Sequence, residues 1–279
     1  SVVVGYGVCT RMLKPIQRFS SKAREISSGH LDRRFDENGA QDELTELART
    51  FNELFERLEK DFERQKRFTS DAAHELKTPL AVMNGYVDMV RRWGKDDARV
   101  LDESLAVLKR ELVSMTAFTE NLLVLARTEN AAHDFERRTF AVKPVLERVR
   151  DDCLLHAPAV CCDIICAEDA TLVSNEDAVR QMLHIMVQNS IKYSPPPAHV
   201  TLSFDGAVIR VTDEGFGIPE SAVPHLFDRF YRVDESRNRQ QGGAGLGLSI
   251  AQALAEKLDI RLAVTSSVGH GTTIALEFK

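Results

Sequence analysis

The stretch from Phe68 to Leu80 holds the side chains best placed for chemistry: His74, its neighbour Glu75, and Thr78. Phe68, Ala72, Leu76, Leu80, Met83, Val87 and Val90 recur at three- and four-residue spacing, which predicts one helix with a single apolar stripe. Two residues beyond Ala72 is about 200° around a helix of ~3.6 residues per turn, so His74 is predicted to point away from that stripe. Thr78, one turn on, shares its face. A neutral imidazole nitrogen is a nucleophile near neutral pH, and an adjacent carboxylate can take the proton from the other ring nitrogen. Pro79 removes a backbone donor and should leave the Glu75 carbonyl unpaired, kinking the helix beside His74. The pair His-Glu alone is more often a solvated surface feature. Ring, hydroxyl and proline together favour chemistry.

Three further constellations lie well downstream. Asn189-Ser190-Ile191-Lys192-Tyr193 offers an amide oxygen that can ligate Mg²⁺ and an ammonium that can offset phosphate charge. Asp213-Glu214-Gly215-Phe216-Gly217 closes a predicted strand; a buried carboxylate there can accept from an exocyclic amine, and the glycines let backbone approach a planar base. Gly242-Gly243-Ala244-Gly245-Leu246-Gly247-Leu248 opens a helix, and free backbone donors in such a turn can cradle phosphates. It lacks the preceding strand of a dinucleotide-binding βαβ unit. Leu226 to Arg232, with the polar run Asp234 to Gln241 behind it, suits a mobile lid over a ligand. Singly, each has a bland reading as a surface pair, a turn or a loop; chance agreement of all of them in this order is improbable.

The elements that must position these residues fall into two halves. From about Phe135 the pattern predicts strands at Thr139–Val142 and Asp163–Ile165 flanking a helix from Pro144 to about Leu155. Asn175 can cap a helix running to about Tyr193. Val200–Phe204 and Val208–Thr212 alternate about Asp205-Gly206, and Leu262–Ser266 and Thr272–Phe278 about Val268 to Gly271. Strand hairpins with helices on one side make an α+β two-layer sandwich. The first half is helical. Ile16, Phe19, Ala23 and Ile26 follow Pro15, and Leu44, Leu47, Phe51, Leu54 and Leu58 form a second seam that runs unbroken through Phe62 into the His74 helix. Leu31 and Phe35 anchor the connector between them. Trp93 to Asp97 ends the His74 helix, and Leu101, Leu105, Leu108, Leu112, Met115 and Leu122 continue as the return arm of a helical hairpin. Such seams bury themselves best against a second copy, as coiled-coil and four-helix-bundle dimers.

The 279 residues suit two or three domains, and 28% charged with 43% apolar residues is ordinary for soluble globular chains. A net charge of −6 gives no reason to expect nucleic acid. Cys9, Cys153, Cys161, Cys162 and Cys166 have no metal-ligand spacing and read as apolar fillers in a reducing compartment. Ser1 to Cys9 is apolar, too short to cross a bilayer, and followed by Arg11 and Lys14, which suits the cytoplasmic end of a membrane helix.

With these motifs in place, the chain resembles the cytoplasmic part of a bacterial two-component sensor histidine kinase. Residues 1–10 would be the residual end of a transmembrane helix. Residues 11–61 resemble a HAMP module, with Pro15, Gly29 and Asp42-Glu43 at the family landmarks. Residues 62–130 would be the dimerisation and histidine phosphotransfer hairpin, and 131–279 the catalytic domain of the histidine kinase/gyrase/chaperone ATPase type. The resemblance makes His74 the phosphorylated residue, Glu75 the proton acceptor, and Thr78 a residue that orients water in regulator phosphatase activity. It gives ATP to Asn189, Lys192, Tyr193, Asp213, Gly215, Gly217, Phe227, Phe230, Arg232, Gly243, Gly245, Leu246, Gly247 and Leu248, and Mg²⁺ to Asn189. It implies a homodimer, membrane-anchored at full length, whose partner is a response-regulator receiver domain. One position departs from the pattern: Ile185 stands where the family commonly has a second asparagine, and Gln188 replaces a usual acid. A nucleotide-responsive scaffold with impaired catalysis is therefore the alternative. A chaperone-like ATPase would explain only the second half.

Overall fold

The computed structural model describes residues 34–35, 43–129, 135–157, 160–233 and 245–278. The chain divides into two compact units, residues 1–74 and 75–279. The expected helix around Ile16 and the anchor Leu31 lie outside the described residues.

In the first unit, helix α1 (Glu43–Trp93) begins and runs without interruption past His74, as the continuous seam predicts. Phe35 is buried against it, its ring 6.1 Å from Phe51 and 6.3 Å from Phe55. Asn52 fixes the main chain of Phe35 at both ends: its Oδ1 accepts from the Phe35 N–H at 2.8 Å and its Nδ2 donates to the Phe35 carbonyl at 3.1 Å. These two hydrogen bonds satisfy both backbone polar groups of Phe35. Arg34 adds an ion pair with Glu59. Phe51 thus packs towards the connector, while Leu47, Leu54 and Leu58 of the same predicted seam stay exposed.

In the second unit α1 continues through Pro79 to Trp93. A tight turn follows, in which the Asp96 and Asp97 amides donate to the Trp93 carbonyl, each at 3.0 Å. Helix α2 (Ala98–Glu129) returns with Ser104, Phe118, Leu125 and Thr128 buried. The stripe expected on α1 splits: Leu76, Met83 and Val90 are half-buried, whereas Leu80 and Val87 are exposed, as are Leu105 and Leu112 on α2. Among the described residues no helix is long and apolar enough to cross a membrane.

Beyond the hairpin come β1 (Arg138–Ala141), α3 (Val142–His156), β2 (Cys161–Ile165), β3 (Thr171–Ser174), α4 (Glu176–Lys192), β4 (His199–Phe204), β5 (Val208–Asp213), α5 (Gly247–Lys257), β6 (Arg261–Ser267) and β7 (Gly271–Glu277). Asn175 caps α4 as expected, its Oδ1 accepting from the Ala178 amide at 2.9 Å. The β4–β5 hairpin turns on Asp205, which accepts from the Ala207 and Val208 amides. The main sheet has the order β2-β4-β5-β7-β6, parallel only between β2 and β4. Alternation buries Val200, Leu202, Ile209, Val211, Ile274 and Leu276, and Met182, Leu183, Met186, Ile250 and Leu254 of α4 and α5 belong to the same core. This is the expected sandwich. Strand β3 has no counterpart among the expected elements: it pairs antiparallel with β1 in a separate two-stranded ribbon, and Val142, expected as strand, instead opens α3.

Candidate functional site

Asp213 ends β5 with its carboxylate buried, because β7 lies alongside in the register Asp213↔Thr272 and α4 packs on β5. Its Oδ1 accepts from the amides of Gly215 at 2.9 Å and Thr272 at 3.0 Å. Its Oδ2 accepts from the Ser190 hydroxyl at 2.8 Å. An ionised carboxylate has about four lone-pair sites. Three are used by these donors. The remaining one, on Oδ2, can take an N–H from a ligand, and the three fixed donors hold it in place.

The glycines beside it are there for contact. A Cβ on Gly215 would lie 2.6 Å from the Tyr193 carbonyl oxygen and 2.8 Å from Asp213 Oδ1. Gly217 has φ 69°, and a Cβ on it would lie 2.0 Å from the Ser267 carbonyl oxygen. The Phe216 amide donates to the Tyr193 carbonyl at 3.0 Å, so the glycine turn and the end of α4 form one wall. Sequence reasoning gave Ser190 and Thr272 no role at Asp213, although Ser190 lies within the asparagine stretch and Thr272 in a predicted strand. The only local signal was their place: one follows Asn189 directly and the other opens a strand.

Helix α5 starts at Gly247, where a Cβ would lie 3.1 Å from Ile185 Cγ2 and 3.9 Å from Asn189 Nδ2. The asparagine and glycine constellations therefore meet at a helix N-terminus, where free amides and the macrodipole favour anions. Leu246 is buried beneath this turn, and Leu248 is half-buried. The Ile185 side chain packs against Gly247 at this point. Gln188 turns instead to His184, at 2.8 Å.

Lys192 lies 5.1 Å over the Tyr193 ring. Burial lowers the ammonium's pKa, and the Arg232 charge adds to the effect. Two cations held near each other in part-desolvated surroundings suit a polyanion. Phe227 follows the buried Leu226, and Phe230 adopts φ 62°, a left-handed conformation that a bulky residue rarely takes. The Phe230 amide donates to the Gly245 carbonyl at 3.1 Å, and a Cβ on Gly245 would lie 2.9 Å from the Phe230 carbonyl carbon. Gly243 and the polar run from Asp234 lie outside the described residues.

On α1, His74 and Thr78 are exposed and Glu75 is half-buried, so the outward ring expected from the stripe is present. Arg232 Nη2 is 3.7 Å from Glu75 Oε2.

The chain is similar to known proteins along its length. Residues 174–279 match the family of histidine kinase-, DNA gyrase B- and HSP90-like ATPases, residues 64–131 the His Kinase A (phospho-acceptor) domain, and residues 10–60 the HAMP domain. Sensor histidine kinase YkoH of Bacillus subtilis is 35% identical across all of this chain, and signal transduction histidine-protein kinase ArlS of Staphylococcus aureus 32%. The chain spans 62% and 63% of those two relatives. Among solved structures, Acinetobacter baumannii histidine kinase AdeS superposes with a TM-score of 0.56 at 21% identity, covering 74% of this chain and 98% of that one. Histidine kinase ThkA, in complex with the response regulator protein TrrA, gives 0.60 at 18% identity, covering 80% and 65%. These two likenesses concern the fold.

Proposed function

The chain belongs to the two-component sensor histidine kinase family, and from that premise we propose that it transfers the γ-phosphoryl group of ATP to His74. The observation that carries this reading is Asp213, whose remaining lone pair on Oδ2 matches the exocyclic amine of adenine. Lys192, Arg232 and the N-terminus of α5 face the polyphosphate. The His74 ring nitrogen attacks the γ-phosphorus; the N–P bond forms as the bond to the β,γ-bridging oxygen breaks, and ADP leaves with that electron pair. Glu75 takes the proton from the other ring nitrogen. Catalysis is then positioning and charge stabilisation rather than covalent chemistry by the protein.

Asn189 fits Mg²⁺. Asn189 would hold the ion through its amide oxygen, and a hard cation with few protein ligands would complete its shell with water and phosphate oxygens. The ion would neutralise charge on the β- and γ-phosphates.

The phosphoryl group passes from His74 to an aspartate of a response-regulator receiver domain, and Thr78 orients water for the reverse, phosphatase, reaction. The exposed Leu47, Leu54, Leu58, Leu80, Val87, Leu105 and Leu112 supply apolar surface for a homodimer. The whole protein is membrane-anchored and this portion is cytoplasmic. Ile185 against Gly247 favours a second reading, a nucleotide-binding scaffold that does not transfer.

Incubation with γ-labelled ATP and Mg²⁺ decides between them. Acid-labile, base-stable label, absent from His74→Gln and reduced in Asn189→Ala, supports the kinase. Nucleotide binding without any label supports the scaffold.

A further inference from the structure

Arg232 stands between two parts of the proposed reaction. Its guanidinium lies 3.7 Å from the carboxylate of Glu75, with only 22% of the arginine side chain exposed. After burial, its charge is the second cause that lowers the pKa of Lys192, which the kinase reading places beside the polyphosphate. One guanidinium is thus paired with a carboxylate and within electrostatic reach of a second, part-buried cation. Arg prefers phosphate to carboxylate when both are in reach, because phosphate carries more charge on more acceptor oxygens.

We propose that the Arg232–Glu75 ion pair is a nucleotide-sensitive catch. It engages the carboxylate that neighbours His74 until a polyphosphate draws the guanidinium away. Glu75 and the nucleotide compete for one partner, so each weakens the other's hold on it. Linkage makes the effect reciprocal: the factor by which Glu75 weakens nucleotide binding is the factor by which nucleotide frees Glu75. Glu75 is then available as proton acceptor only when there is a phosphoryl group to transfer. Arg232 acts here as a positioning residue for Glu75, a role additional to contact with ATP. The inference rests on the kinase reading, since it needs both a bound polyphosphate and a working carboxylate.

A double-mutant cycle tests it by binding alone, without turnover. The affinity of a non-hydrolysable ATP analogue with Mg²⁺ is measured by calorimetry for the unaltered chain, Glu75→Gln, Arg232→Gln and the double variant. A part-exposed ion pair of this kind is worth about two- to fivefold in an equilibrium. Glu75→Gln should therefore tighten binding by about that factor. Arg232→Gln should weaken it, and in the Arg232→Gln background Glu75→Gln should have no effect. The tightening should shrink as salt is raised, because the competing pair is screened. Equal effects of Glu75→Gln in both backgrounds, or no tightening, overturn the catch while leaving the nucleotide site standing. Failure of the unaltered chain to bind the analogue overturns the kinase reading and the catch together.

Discussion

Replacing Asp213 by Asn changes one atom and tests whether this carboxylate reads the base. The Gly215 and Thr272 amides both donate to Oδ1, so the Asn side chain keeps its oxygen there and turns its NH₂ to the position of Oδ2. Ser190 can rotate its hydroxyl and accept from that NH₂, so the fold loses little, about 1 kcal/mol or less. The ligand loses more. A donor now faces the amine of adenine, and a hydrogen bond to a charged group, worth about 1.5–3 kcal/mol, is gone. At about 1.4 kcal/mol per tenfold, ATP binding should weaken by about 10- to 150-fold. Inosine triphosphate, with a carbonyl in place of the amine, should respond in the opposite sense. The unaltered carboxylate repels it, and the NH₂ donor that Asp213→Asn introduces suits it. Calorimetric titration of both nucleotides into both proteins, with melting temperatures measured alongside, gives the preference ratio. Equal loss for ATP and inosine triphosphate, or a preference that does not fall, would refute direct readout by Asp213 and leave it a purely structural residue.

Three other outcomes are expected. Gly217→Ala places a Cβ 2.0 Å from a backbone oxygen at φ 69°, whereas Gly206→Ala, at φ 101°, meets no atom within 4 Å; thermal unfolding should therefore show a clearly larger loss at Gly217, where strain of about 1–3 kcal/mol is joined by a clash. Ile185→Asn adds an amide beside Asn189 and Gly247; if that ligand is worth about 1 kcal/mol, the Mg²⁺ needed for half-maximal nucleotide binding falls about fivefold, and an unchanged requirement assigns Ile185 to packing alone. The Asp205 carboxyl is held down at about 2, first by the hydrogen bond from Arg210 and then by the Ala207 and Val208 amides. A depressed pKa contributes stability that is present above the ordinary carboxyl value of 3.8 and is lost as pH falls towards 2. Asp205→Asn should flatten that part of the acid-unfolding curve, and an unchanged slope between those limits would remove Asp205 from the account.

What the sequence determined by itself is local. The outward placement of His74 follows from helical period, the cap at Asn175 from a side chain within reach of its own helix, and the β4–β5 hairpin from Asp205-Gly206 between alternating runs. These depend on residues a turn or two apart, whose relative directions the backbone period fixes before anything packs. The short strand β3 escaped for the converse reason. Four residues carry too weak a period, and the ribbon exists only because β1 arrives beside it.

The site itself needed tertiary structure. Ser190 and Thr272 reach Asp213 from 23 and 59 residues away, and the second contact depends on the β5–β7 register, which a slip of one residue would turn to the other face. Ile185 is an ordinary half-buried residue of α4 until Gly247 is laid against it, and only then does it stand beside Asn189 at the start of α5. Glu75 lies on α1 and Arg232 in the loop before α5, and no spacing rule relates them. Sequence pattern chooses which side chains a segment turns inward. Which two inward faces meet, and at what register, is decided by packing the whole core at once, because the free energy that selects it is shared among residues distant in the chain.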